Sequence, residues 1–129
     1  MLRQLPSCIK SVDEIKPLVE NLARKYRISP DQFSNILISL AEAVTNAITH
    51  GNCCDESKKV EIKLRKQSDA IAISVRDQGC GFDFRNLPDP TALDNLAKCG
   101  GRGVFLMQQL SDRVDFRDDG RTVEMQFKL

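Results

Sequence analysis

Val60-Glu61-Ile62-Lys63-Leu64-Arg65 alternates apolar with charged residues, and after Gln67-Ser68-Asp69 the alternation resumes at Ile71, Ile73 and Val75. A period of two with a turn between the runs predicts a hairpin that buries one face. Toward the C-terminus Val123, Met125, Phe127 and Leu129 alternate with Glu124, Gln126 and Lys128. Asp119-Gly120 forms a turn before them, with Val114 and Phe116 on its other side, which predicts a second hairpin. Upstream the period changes to that of a helix. Ile15, Leu18, Leu22 and Ala23 recur at helical spacing in a segment running to about Tyr26, with Ser11-Val12-Asp13-Glu14 in capping-box form at its start. Ser29-Pro30-Asp31-Gln32 opens a longer helix whose stripe is Phe33, Ile36, Leu37, Leu40, Val44 and Ile48, carried to about His50 and stopped by Gly51. Half-buried strands need a cover and these helices can supply it. The expected architecture is a two-layer α/β sandwich (α+β), a mostly antiparallel sheet with helices on one face.

The size of 129 residues reads as one domain over 1–129, with no repeat or linker dividing it. At 41% hydrophobic and 29% charged residues, the chain fits a folded globular protein rather than a disordered one. A net charge of +1, with one Tyr, six Phe and no Trp, gives neither a basic footprint nor a stacking platform for nucleic acid. The absence of an 18-residue apolar run or an apolar leader stretch sets the expectation of a cytoplasmic protein without membrane contact. Five cysteines (Cys8, Cys53, Cys54, Cys80 and Cys99) are an odd number, contain no C-x-x-C pair, and share the chain with one histidine, His50. That set supports neither a zinc site nor a complete disulfide framework, and reads as reduced thiols.

Three constellations carry chemistry. Glu42, Asn46 and His50 are spaced i, i+4, i+8 on one face of the long helix, among small neighbours that would allow close approach. Asp77-Gln78-Gly79-Cys80-Gly81-Phe82 follows a strand directly; two glycines permit close backbone approach, and an Asp there can accept from an exocyclic amine. Gly100-Gly101-Arg102-Gly103 opens a helix expected from about Val104 to Leu110, where backbone N–H groups can face an anion. Between the last two, Phe82 to Gly101 is long, with two prolines and a short helix-like stretch from Ala92 to Lys98, a pattern common to functional loops.

The order E-x-x-x-N on a helix, D-x-G-x-G-F after a strand, and G-x-G before a helix resembles the GHKL ATPase superfamily, whose Bergerat fold is a helix-covered sheet. The strings Glu42-Ala-Val-Thr-Asn46-Ala-Ile-Thr-His50-Gly51-Asn52 and Gly101-Arg-Gly-Val-Phe-Leu-Met-Gln-Gln-Leu-Ser-Asp112 look like the anti-sigma-factor serine kinases of the RsbW/SpoIIAB type. A domain standing alone suits those kinases better than a sensor histidine kinase. The resemblance implies ATP and Mg²⁺, with Asn46 binding the metal through its side-chain oxygen and Glu42 as general base toward a Ser or Thr hydroxyl. Asp77 would receive the adenine amino group, Gly81 would admit the ring, and Thr122 would support the adenine end. Gly101 and Gly103 would present N–H groups to the phosphates, under a lid from Phe82 to Gly100. The implied nucleotide-binding set also includes Gly79, Lys98, Arg102 and Val104. Some relatives place an Arg before the second glycine motif. Here that position falls near Cys99, and either Lys98 or Arg102 could supply the charge.

The function so implied is an ATP-dependent serine/threonine kinase acting on a STAS-type anti-anti-sigma partner, with a sigma factor as second partner and a homodimer as the assembly. Two other classes stay open. One is a nucleotide-gated module that sequesters a sigma factor or other regulator with little or no transfer. The other is a histidine-kinase catalytic domain acting in trans, for which the usual phospho-acceptor helix is not present.

Overall fold

The computed structural model describes residues 1–79 and 101–129. In chain order its regular elements are β1 (Leu2–Pro6), α1 (Ile15–Tyr26), α2 (Pro30–Asn46), β2 (Lys59–Lys66), β3 (Ala70–Arg76), α3 (Gly101–Leu110), β4 (Arg113–Arg117) and β5 (Thr122–Lys128). A 3-10 segment, Ile9–Glu14, leads into α1, and a π turn, Ala47–Gly51, extends α2. The described strands form one sheet in the order β1-β2-β3-β5-β4, and every neighbouring pair is antiparallel. Both expected hairpins are present. β1 is an addition: only Leu5 of its five residues is buried, so its sequence has no alternation to reveal it.

Register explains how the sheet builds a floor. Val75 of β3 lies opposite Val123 of β5, and Val123 lies opposite Phe116 of β4. Ile73 and Met125 pair in the same way one step along. The inward side chains Ile62, Ile73, Met125 and Phe127 are fully buried. They pack under α2 and its π extension, where Ile36, Leu40, Val44 and Ile48 are buried to the same degree. Each such side chain contributes about 1.5–3 kcal/mol by leaving water, so this double layer dominates the stability. α1 and α3 pack against α2 in the helix layer.

The start of α2 follows its sequence grammar: the Ser29 hydroxyl accepts the Gln32 backbone N–H at 3.2 Å, and Pro30 is the first helical residue. The start of α1 does not. Ser11 is buried in the 3-10 turn and donates its hydroxyl to the Pro6 carbonyl at 2.8 Å, so it anchors the end of β1 rather than capping a helix. Glu14 takes the cap position without a side-chain hydrogen bond. α3 begins at Gly101, three residues before the expected start, which places Gly101 and Gly103 inside its first turn. Expectations for Cys80, Gly81, Lys98, Cys99, the Ala92 to Lys98 stretch and the Phe82 to Gly100 lid lie outside the described residues.

Candidate functional site

Where α2 crosses the sheet, small side chains leave a cavity of about 220 Å³. That is far beyond the roughly 30 Å³ a single water occupies in the liquid. Its floor is the cross-strand row Val75, Val123 and Phe116; Ala43 and Asn46 of α2 with Ala47 of the π turn form one wall, and Val104 and Met107 of α3 another. Ala43 and Ala47 are the reason the space exists, because a larger residue on that helix face would fill it. At the rim stand His50, Gly51, Asp77, Gly120 and Arg121. An apolar cradle with a few polar groups at its edge is the usual form of a small-molecule site.

Asp77 follows the last residue of β3 and is only 8% exposed. Its backbone N–H donates to the Arg121 carbonyl at 2.9 Å, and its Oδ1 accepts the Gly79 N–H at 2.8 Å. Burial pushes its carboxyl above the ordinary range, against the opposing pulls of the Gly79 N–H and the charges of Arg121 and Lys58. The carboxylate is thus held at the cavity rim in a poorly solvated position, where an N–H donor from a ligand would find an acceptor with little competing water.

The glycines beside Asp77 are required by contact, not by unusual dihedral angles. A Cβ on Gly51 would come within 2.9 Å of the Asp77 Cβ and nearer still to its carboxylate. A Cβ on Gly79 would overlap the Gly51 carbonyl. The end of the α2 extension and the turn after β3 therefore touch backbone to backbone. The sequence reading expected a regular helix as far as His50. The structure instead has a π turn from Ala47, shown by the Asn52 N–H reaching the Ala47 carbonyl at 2.8 Å. This wider turn carries His50 to the cavity rim and Gly51 against Asp77.

Of the residues singled out from sequence, the structure brings Asn46, His50, Asp77 and Val104 to one cavity. Asn46 is half-buried, and its side-chain amide has no hydrogen-bond partner among the described residues. Its carbonyl oxygen suits a hard cation, and Mg²⁺ takes few protein ligands when phosphates supply others, so the residues present fit that metal. Glu42 is half-buried one helical turn from Asn46, outside the cavity lining. Gly79 lines a polar groove on the other side of Asp77. Thr122 is buried and donates its hydroxyl to Asp118 Oδ2 at 2.8 Å; its neighbours Arg121 and Val123 reach the cavity. Gly101, Arg102 and Gly103 form the first turn of α3, whose leading N–H groups have no acceptor within a helix.

Sequence reasoning missed Asn52, which is 1% exposed and whose side chain makes three hydrogen bonds. It also missed the apolar lining of Val75, Met107 and Val123, which reads in sequence as ordinary core. The only advance signal was the run of small residues around Glu42.

A helix-layered antiparallel sheet with this cradle and its rim carboxylate has the form of a small-molecule-binding domain. Residues 5–127 match the histidine kinase-like ATPase domain, and the chain belongs to that family. Within it, the chain is 32% identical over 129 residues to the serine-protein kinase RsbW of Bacillus licheniformis, covering 93% of this chain and 79% of that protein. It is 29% identical to the RsbW of Bacillus subtilis over 131 residues, 95% and 81% of the two chains. An anti-sigma F factor of Clostridium perfringens is 33% identical over 105 residues, 77% of this chain and 74% of the relative. Among the described residues no helix is long and apolar enough to cross a membrane.

Proposed function

We propose that this protein is an ATP-dependent serine/threonine kinase that phosphorylates a STAS-type anti-anti-sigma protein and binds a sigma factor. The observation that carries the nucleotide part is the shared cavity: a buried carboxylate at Asp77 and the Asn46 amide, without a partner among the described residues, border one apolar cradle. The names of the relatives support the kinase and anti-sigma parts.

In this reading the adenine ring lies in the cradle with its amino group donating to Asp77. Guanine carries an oxygen at the corresponding position and would face the carboxylate unfavourably, so the site selects ATP over GTP. Asn46 holds Mg²⁺, which neutralises phosphate charge when bound. The first turn of α3, with Gly101 and Gly103, faces the phosphates, and its N–H groups and dipole favour negative charge there. Lys98 or Arg102 supplies a further cation, while Gly79, Gly81, Val104 and Thr122 shape the remainder of the nucleotide site. In transfer, the partner's hydroxyl oxygen attacks the γ-phosphorus and the bond to the β-phosphate oxygen breaks, releasing ADP. The hydroxyl proton goes to Glu42, one helical turn from Asn46 and outside the cavity lining. A homodimer and a cytoplasmic setting belong to the same proposal.

Intact-mass analysis tests it. The protein is mixed with Mg·ATP and a STAS-domain protein encoded beside it, with Glu42→Ala in parallel. A gain of one phosphate on a partner Ser or Thr, lost in the variant, is the expected result. No transfer while ATP still binds tightly would shift the function to a nucleotide-gated module that sequesters its partner.

A further inference from the structure

Asn52 sits just past the π turn, buried, between three segments distant in sequence. Its Oδ1 accepts the Gln78 backbone N–H at 2.7 Å. Its Nδ2 donates to Ser7 Oγ at 2.6 Å and to the Lys59 carbonyl at 3.1 Å. The partners fix which way the amide points: an N–H donor faces its oxygen and a carbonyl faces its nitrogen. Lys59 closes the ring, because its own N–H donates to Gln78 Oε1 at 2.7 Å. Gln78 is therefore held by both main chain and side chain. It lies between Asp77 and Gly79, the two residues joined by the Asp77 Oδ1 hydrogen bond.

From this arrangement we infer that Asn52 is a positioning residue that sets the Asp77-Gln78-Gly79 turn, and thereby the aim of the Asp77 carboxylate at a bound base. The inference rests on the reading that Asp77 receives the adenine amino group. Only a side chain with one acceptor and two donors in a plane satisfies Gln78, Ser7 and Lys59 together. Loss of the acceptor would leave the Gln78 N–H unpaired and free the turn to pivot on Gly79. Gly51 limits the opposite movement, since it already touches Asp77. The adjacent residues thus act as stop and tether: Gly51 bounds the position of the carboxylate and Asn52 holds it there.

A purely structural staple would behave differently, and Ser7→Ala shows how. Ser7 accepts from Asn52 and donates to the Lys58 carbonyl at 2.9 Å, so its removal weakens the same junction on the side away from Gln78. ATP and GTP affinities are measured calorimetrically for the full chain and for Asn52→Ala, Asn52→Asp, Ser7→Ala and Asp77→Asn, with amide exchange at Gln78 followed by NMR. Asn52→Ala is expected to weaken ATP binding about tenfold, leave GTP binding unchanged and speed exchange at Gln78. Asn52→Asp keeps the acceptor and should retain most of the preference for ATP, whereas Ser7→Ala should lower stability and leave the preference intact. A wild-type ATP:GTP ratio in Asn52→Ala, alongside a lost preference in Asp77→Asn, would overturn the role of Asn52 alone. An unchanged ratio in Asp77→Asn would instead overturn the reading of Asp77. If Asn52→Ala does not fold, Asn52→Ser takes its place: the shorter side chain withdraws the acceptor from the Gln78 N–H, and a wild-type ATP:GTP ratio in that variant, alongside a lost preference in Asp77→Asn, overturns the role of Asn52.

Discussion

The two ends of α2 are fastened by different means. At its N-terminal end, Ser29 caps the first turn and Gln32 Nε2 donates to the Lys128 carbonyl at 2.6 Å, tying the helix to the last strand. At its C-terminal end there is no such local cap. The helix widens into a π turn, Gly51 presses on Asp77, and Asn52 reaches Ser7, Lys59 and Gln78. The first end is held by its own cap, between residues three apart, and by one side-chain hydrogen bond to the last strand. The second is held by partners up to 45 residues away, and it alone borders the cavity. Regular structure supplies the frame, and the irregular end supplies the site.

Substitutions at the two ends should separate accordingly, and the largest effect belongs to the glycine contact. Gly79→Ala places a methyl group against the Gly51 carbonyl, so urea unfolding should show a loss on the order of 1–3 kcal/mol, with weakened ATP binding. A fully stable Gly79→Ala protein would mean the two turns are not in contact. Next is Asp77→Asn. Replacing the carboxylate acceptor should weaken ATP binding by roughly 10- to 150-fold, as expected for a hydrogen bond to a charged group. The same change should raise stability at neutral pH, because it removes a carboxylate that burial disfavours. Affinity and stability moving in opposite directions mark a site residue, and calorimetry paired with denaturation reads both.

At the other end, Ser29→Ala should cost about 1 kcal/mol through loss of the cap and leave nucleotide affinity unchanged. An altered affinity there would dissolve the contrast. The smallest effect is in pH. Folding raises the Asp77 pKa, so the folded state binds more protons than the unfolded state between the two values. Stability contributed by this group is greatest below the unfolded value, near 3.8, and falls as pH rises through the folded value. Asp77→Asn should flatten that part of the stability profile.

The same contrast governs what the sequence could reveal. Alternation over Val60 to Arg65 and Val123 to Leu129 exposed both hairpins, because a half-buried strand writes its burial into a period of two. Ser29-Pro30 revealed the start of α2 because the cap bond is local. Ser11-Val12-Asp13-Glu14 had the same local form and misled, because a tertiary contact to Pro6 claimed the hydroxyl. Asn46 and Asp77 were visible through residue type and motif order. Asn52 was not, since its partners are brought together only by the fold. The π turn was hidden for the same reason: its residues, Ala47-Ile48-Thr49-His50-Gly51, read equally well as α-helix until the contact between Gly51 and Asp77 is known.

The central claim is that the cradle between α2, α3 and the sheet takes the adenine end of ATP. Methyl NMR during titration with a non-hydrolysable Mg·ATP analogue tests it directly. The account predicts saturable shifts at the methyls of Val75, Val104, Met107 and Val123, with those of Leu2 and Ala72 at the groove on the outer sheet face left unmoved. Shifts confined to that outer groove, or none in the cradle at saturating nucleotide, would contradict it.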